Sequence, residues 1–211
     1  MKERPILFSG PMVRAVLDGR KSQTRRVVTD RHLTRLGLEI HDGIAFTLEG
    51  GQWNGMFESG SPPWCPYGIP GDRLWVRECW RFGYPVHSNG PSLNVKTLQY
   101  RADYGDDANF IPWKPSIHMK RQDSRITLEV VAVRVERLQE INEEDATAEG
   151  IHQFGALEMY GYDPRGTPGT MIGGTATEAF SLLWRQINGP ESWSANPWVW
   201  VVEFKRLEQP K

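Results

Sequence analysis

Residues 126–135 read ITLEVVAVRV, the strongest β signal in the chain. Ile126, Val130, Val131, Val133 and Val135 are β-branched, stiff at χ1 and suited to a pleated, packed surface, so the run predicts a central strand. Residues 73–79, RLWVREC, alternate beside it in the sequence pattern. Leu74, Val76 and Glu78 share one face, and Arg73, Trp75 and Arg77 share the other, which aims Glu78 toward the interior after two apolar residues. Residues 198–204, WVWVVEF, form an apolar closing strand, and shorter strands are expected at 6–8, 23–28 and 97–101. Thr24, Arg26 and Val28 share one face of the second of these.

Helices punctuate the strands. Gly10 and Pro11 open one whose apolar stripe is Met12, Val13, Val16 and Leu17, and Gly19 supplies a left-handed stop. Asn142 caps a short acidic helix that ends at Gly150, its carboxylates at the end that the helix dipole favours. Thr175 and Glu178 have capping-box spacing, followed by the stripe Phe180, Leu183, Trp184 and Ile187, and Gly189 and Pro190 end that helix. Residues 29–70 are rich in Gly and Pro and read as a long irregular excursion. Five or six strands with two or three helices, mostly not alternating, predict an α+β domain built on a small β-barrel.

The 211 residues suffice for one sizeable core, and no Ser, Pro or charge run divides them, so a single domain is expected over 1–211. MKERPILFSGP at the start lacks a signal-like apolar run, and no stretch of about 18 apolar residues occurs. The expectation is a cytoplasmic protein with no membrane partner. Cys65 and Cys79 are too few for a disulfide framework and fit a reducing compartment. A zinc site would need His87 and His118 to join them, without paired ligand spacing, so neither metal nor cofactor is expected.

Net charge is −1, which excludes a uniformly basic nucleic-acid binder. Base is nevertheless concentrated at Arg14, Arg20, Lys21, Arg25, Arg26, Arg31 and Arg35, and acid at Glu140, Glu143, Glu144, Asp145 and Glu149. The first group can face phosphates or simply solvent. Nine tryptophans are mostly core material, with one or two available for stacking on a base.

Chemistry concentrates at GRKSQTRR, residues 19–26. Lys21 follows a helix stop, so its amine reaches across a turn, and Thr24 enters the next strand three residues later. With inward-facing Glu78 these make a trio suited to acyl chemistry: a buried amine of lowered pKa takes a hydroxyl proton, and a carboxylate holds the amine or assists a leaving nitrogen. The plainer alternative is a buried ion pair of Glu78 with Lys21 or Arg26. GxSxG, phosphate-binding glycine loops and HExxH are all missing from the sequence.

The same run resembles the GxKxxExR signature of the ASCH domain, a PUA-like small β-barrel: Gly19, Lys21 and Arg26 match and Thr24 stands in place of the glutamate. PGDRLWVRE at 70–78, LQEINEEDATAEGI at 138–151 and the closing WVWVVEF are similar to further parts of that family. The resemblance implies an ASCH fold with flanking helices and long insertions at about 29–70 and 81–123, as in longer phage and prophage members. Small bacterial members hydrolyse N4-acetylcytidine with a lysine, a threonine three residues on and a glutamate on a following strand, which Lys21, Thr24 and Glu78 match. The implied function is deacylation of the exocyclic amine of a modified cytidine, with Arg26 on the oxyanion or on a substrate oxygen. Arg25, Arg26, Trp75, Arg77 and His118 are the expected contacts to nucleoside or nucleic acid. Two alternatives accompany it: a binding module for RNA or single-stranded nucleic acid, with Arg25, Arg26, Arg31 and Arg35 on phosphates and Trp75 or Trp80 stacking, and a ribonuclease using His118.

Overall fold

The computed structural model describes residues 1–29, 31–32, 38–41, 44–47, 65–84, 96–104, 112–154, 159–162 and 172–208. In chain order these hold β1 (Glu3–Leu7), α1 (Gly10–Leu17), β2 (Gln23–Val27), β3 (Leu38–His41), β4 (Ile44–Thr47), β5 (Arg73–Arg77), β6 (Trp80–Gly83), β7 (Thr97–Tyr100), β8 (Thr127–Arg137), α2 (Glu143–Ala148), β9 (His152–Phe154), β10 (Met159–Gly161), β11 (Ile172–Gly173), α3 (Ala176–Asn188) and β12 (Trp198–Leu207). The class is α+β. A five-stranded sheet runs β1-β5-β8-β12-β2, with β1 parallel to β5 and every other neighbour antiparallel. Among the described residues β1 and β2 remain edges of an open ladder, and a side chain spans them: Arg26 Nη2 donates to Leu7 O at 2.7 Å.

The closing run WVWVV is apolar at consecutive positions because β12 is buried on both faces. Trp198, Trp200, Val202 and Phe204 join Val13 and Val16 of α1 and Leu74, Val76, Leu128, Val130, Val133 and Val135 of the sheet. Val199 and Val201 face the other way, onto Ile141 and Ala146 and onto Phe180 and Trp184 of α3. The doubled valine at 130–131 also has a structural reason. Pairing of β12 with β8 shifts between Glu203 and Phe204, which face Ala132 and Val130, so Val131 is the extra residue of a bulge and is 50 % exposed. Inward parity therefore passes from Leu128 and Val130 to Val133 and Val135, keeping both halves of β8 in the core.

Helix ends follow the expected chemistry. The Asn142 side chain accepts from Asp145 N at 2.8 Å, and Thr175 Oγ1 accepts from Glu178 N at 3.2 Å. Gly19 sits at φ 74°, reversing the chain after α1, and the amides of Arg20 and Lys21 then both donate to Ala15 O at 2.8 and 3.0 Å. Lys21 is thereby fixed against α1 before β2 begins.

Several elements were not expected. A β3–β4 hairpin lies within 29–70, where an irregular excursion was expected, because pairing within a short segment needs only local contacts. The β9–β10–β11 sheet likewise assembles short strands too brief to show a period. The strand expected at 97–101 pairs as β7 with β6. Arg35, Trp53, Trp64 and His87 lie outside the described residues. Among the described residues no helix is long and apolar enough to cross a membrane.

Both cysteines are free, Cys65 buried and Cys79 half-buried. Burial pushes the Cys65 thiol up to about 12, the amides of Tyr67 and Gly68 offsetting part of the effect. Native protein at pH 8 should therefore react with a thiol reagent at Cys79 first, and at Cys65 only on unfolding. Equal native rates at the two thiols, read by mass spectrometry of labelled peptides, would contradict this burial.

Candidate active-site cleft

The turn that follows α1 delivers Lys21 to the C-terminus of α2. Lys21 Nζ donates to Glu149 Oε2 at 2.7 Å and to Glu149 O at 2.8 Å, with the two side chains only 1 % and 5 % exposed. A cation is favoured at a helix C-terminus, where carbonyls lack intrahelical partners. Gly150 makes the approach possible. It lies at φ 103°, and a Cβ there would come within 3.2 Å of Ala15 Cβ and 3.3 Å of both Lys21 Cβ and Tyr162 Cε2. Burial holds the Lys21 amine below the ordinary lysine range; Glu149 opposes that shift, and Arg26 and Arg25 add to it.

Around this pair lies a cavity of about 70 Å³ with a solvent-facing mouth. Its lining includes Lys21, Thr24, Arg26, Glu149, Tyr162, Phe180 and Trp184. Val27 and Ile187, 39 % and 53 % exposed, belong to the mouth. The enclosed space takes a few waters or one small planar group, so the body of any larger ligand must lie against the apolar mouth.

Five lining residues carry buried polar atoms with no hydrogen-bond partner among the described residues: Arg25 Nε and Nη1, Arg26 Nε, Glu149 Oε1, Tyr162 Oη and Trp184 Nε1. An unmet buried donor or acceptor costs about 1–3 kcal/mol, so their concentration at one cavity marks a polar lining that water or a polar ligand can satisfy. Arg25 is otherwise engaged: its Nη2 lies 2.5 Å from Glu136 Oε1 and 2.9 Å from Asp145 Oδ2, and its Nη1 3.6 Å from Glu149 Oε1. Arg134 bonds Glu136 at 2.8 Å, Asp145 at 3.0 Å and also Glu203, completing a charge network behind the pair. Arg26 spans to Leu7 and lies 5.7 Å from the Phe8 ring centroid. Burial also pushes the Tyr162 hydroxyl well above its usual range, so it stays protonated as a donor.

The residues singled out in the sequence divide between two places. Lys21, Thr24, Arg25 and Arg26 line the cavity, whereas Glu78, Trp75, Arg77 and His118 are not among its lining. Glu78 is 1 % exposed, as its strand alternation implied, and both its oxygens accept from Arg125, at 2.9 Å from Nε and 3.0 Å from Nη2. Neither Lys21 nor Arg26 is its partner; the carboxylate on Lys21 is Glu149. Burial pushes the Glu78 carboxyl up, with Arg125 offsetting. Arg77 stacks 5.2 Å from Trp75 and donates to Met119 O at 3.0 Å, and His118 is exposed in a turn over Ser116–His118. Glu149, Tyr162 and Trp184 were missed as site residues. Only Glu149 carried a signal, its place directly before the helix-ending Gly150. Among the described residues no three His, Cys, Asp or Glu side chains group as metal ligands. No family model, curated protein or solved structure matches this chain.

Proposed function

We propose that this chain is an ASCH-type, PUA-like protein whose cleft removes the acyl group from the exocyclic amine of an N4-acylated cytidine. The observation that carries the reading is the buried Lys21–Glu149 pair, which lines one cavity together with Thr24 and the unmet donors of Arg26, Tyr162 and Trp184. The acyl group and the amide nitrogen match the enclosed space, and the pyrimidine ring the apolar mouth at Val27, Leu183 and Ile187.

In this reading neutral Lys21 takes the Thr24 hydroxyl proton as the Thr24 oxygen bonds to the acyl carbon. The carbonyl oxygen gains charge and is received by Arg26 Nε and its neighbouring donors. The Lys21 ammonium then returns its proton to the exocyclic nitrogen, the C–N bond breaks and cytidine departs. Water attacks the Thr24 ester with Lys21 again as base, which frees acetate and restores the hydroxyl. Glu149 orients the amine throughout, one of the two parts that the sequence offered Glu78, the other being to assist the leaving nitrogen. Arg25 is a positioning residue, since it holds Glu149 from behind.

The test is acetate release from N4-acetylcytidine by purified protein across pH. The base must be deprotonated, so kcat/KM rises with pH through the lowered Lys21 value and levels off below the ordinary lysine range. Unchanged substrate at enzyme concentrations equal to that of the nucleoside sinks the proposal.

A further inference from the structure

The sequence WRFGY at 80–84 places Trp80, Phe82 and Tyr84 on one face of a strand by simple alternation. In the β6–β7 hairpin their fates differ: Trp80 is 6 % exposed, while Phe82 and Tyr84 are 53 % and 50 % exposed. Phe82 stands edge-on to Trp80 with centroids 5.7 Å apart, so its ring is braced from below. Cations flank the pair. Lys114 Nζ lies 4.8 Å from the Trp80 ring and Lys96 Nζ 5.7 Å from the Tyr84 ring. Arg81 packs 5.3 Å from Trp113, which contacts Tyr104 at 5.3 Å.

Among the described residues of this region exposed charge is mostly basic. Lys96, Arg101, Lys114 and Lys120 are exposed, and the exposed carboxylate Asp103 is already taken by Arg125 at 2.7 Å. Asp106 and Asp107 lie outside the described residues. Phe82 and Tyr84 are two positions apart, a rise of about 6.8 Å along an extended backbone, and exposed rings so placed offer stacking faces to unpaired bases. Lysines at either end suit the phosphates between them. A protein partner would prefer a more continuous apolar patch with fewer lysines.

We infer that the β6–β7 hairpin is a single-stranded polynucleotide platform, with Phe82 and Tyr84 each stacking on a base and Lys96 and Lys114 meeting the backbone. It rests on a different element from the cleft and stands without the proposed hydrolysis.

The experiment is fluorescence anisotropy with labelled 12-mers of RNA, of DNA and of duplex RNA over a salt series. Wild-type protein binds the single strands, RNA and DNA telling which sugar is preferred, and binds the duplex at least about tenfold more weakly, since paired bases cannot stack on side chains. The double variant Phe82→Ala/Tyr84→Ala weakens single-strand binding by about 30-fold or more. The double variant Lys96→Gln/Lys114→Gln lowers the slope of log K against log salt by about 1.4. Both double variants change surface residues only and keep acetate release from the free nucleoside, whereas Lys21→Met keeps oligonucleotide binding. Single-strand affinity unchanged in Phe82→Ala/Tyr84→Ala, equal affinity for the duplex, or no binding at 50 mM salt would each overturn the inference.

Discussion

Lys21→Met lowers kcat/KM for acetate release from N4-acetylcytidine by about 10²–10⁴-fold, the range that one positioned proton carrier contributes. Methionine keeps the length and apolar stem of the side chain and removes the amine. The residual rate also loses its rise with pH, which a merely structural lysine would not affect. Because removal of one partner from a buried pair destabilises the fold, the double variant Lys21→Met/Glu149→Gln is measured beside it. It restores the thermal midpoint toward wild type and leaves the activity lost. A Lys21→Met rate within threefold of wild type would remove the amine from the mechanism.

Glu78→Ala has its effect elsewhere. The Glu78 side chain is 2 % exposed and bound through both oxygens to Arg125, whose guanidinium also lies 4.0 Å from the Tyr100 ring centroid. Breaking a buried pair from one side costs about 3–5 kcal/mol, and the lower end applies because Arg125 keeps Asp103 and some solvent contact. Urea unfolding should register about 3 kcal/mol of lost stability. Acetate release per folded molecule should stay within about threefold, as Glu78 does not line the cavity. A hundredfold loss of rate with an unchanged urea midpoint would return Glu78 to the chemistry and displace Glu149.

The contrast between these two carboxylates shows where sequence reading succeeded and where it stopped. Alternation along residues 73–79 correctly buried Glu78, because a strand's period of two is a local property. It carried no information about which cation would meet it. Arg125 lies 47 positions away and Glu149 lies 128 positions from Lys21, and such pairings depend on how the strands are ordered in the sheet. The acidic helix was legible through Asn142 and Gly150, and its carboxylates were read as dipole complements. One of them instead faces inward at the helix end, where φ 103° at Gly150 lets the Lys21 turn pack within van der Waals distance.

Local chemistry by itself determined the main strands, the helix limits, the inward face of Glu78, and the grouping of Lys21, Thr24 and the two following arginines on one short segment. Each follows from side-chain period, capping or glycine backbone freedom within a few residues. Tertiary structure alone decided that β12 is covered on both faces, that Arg26 of β2 reaches Leu7 of β1, and that Glu149 meets Lys21. Those outcomes require contacts between distant parts of the chain, whose energies depend on burial and on the exclusion of water and not on any local pattern.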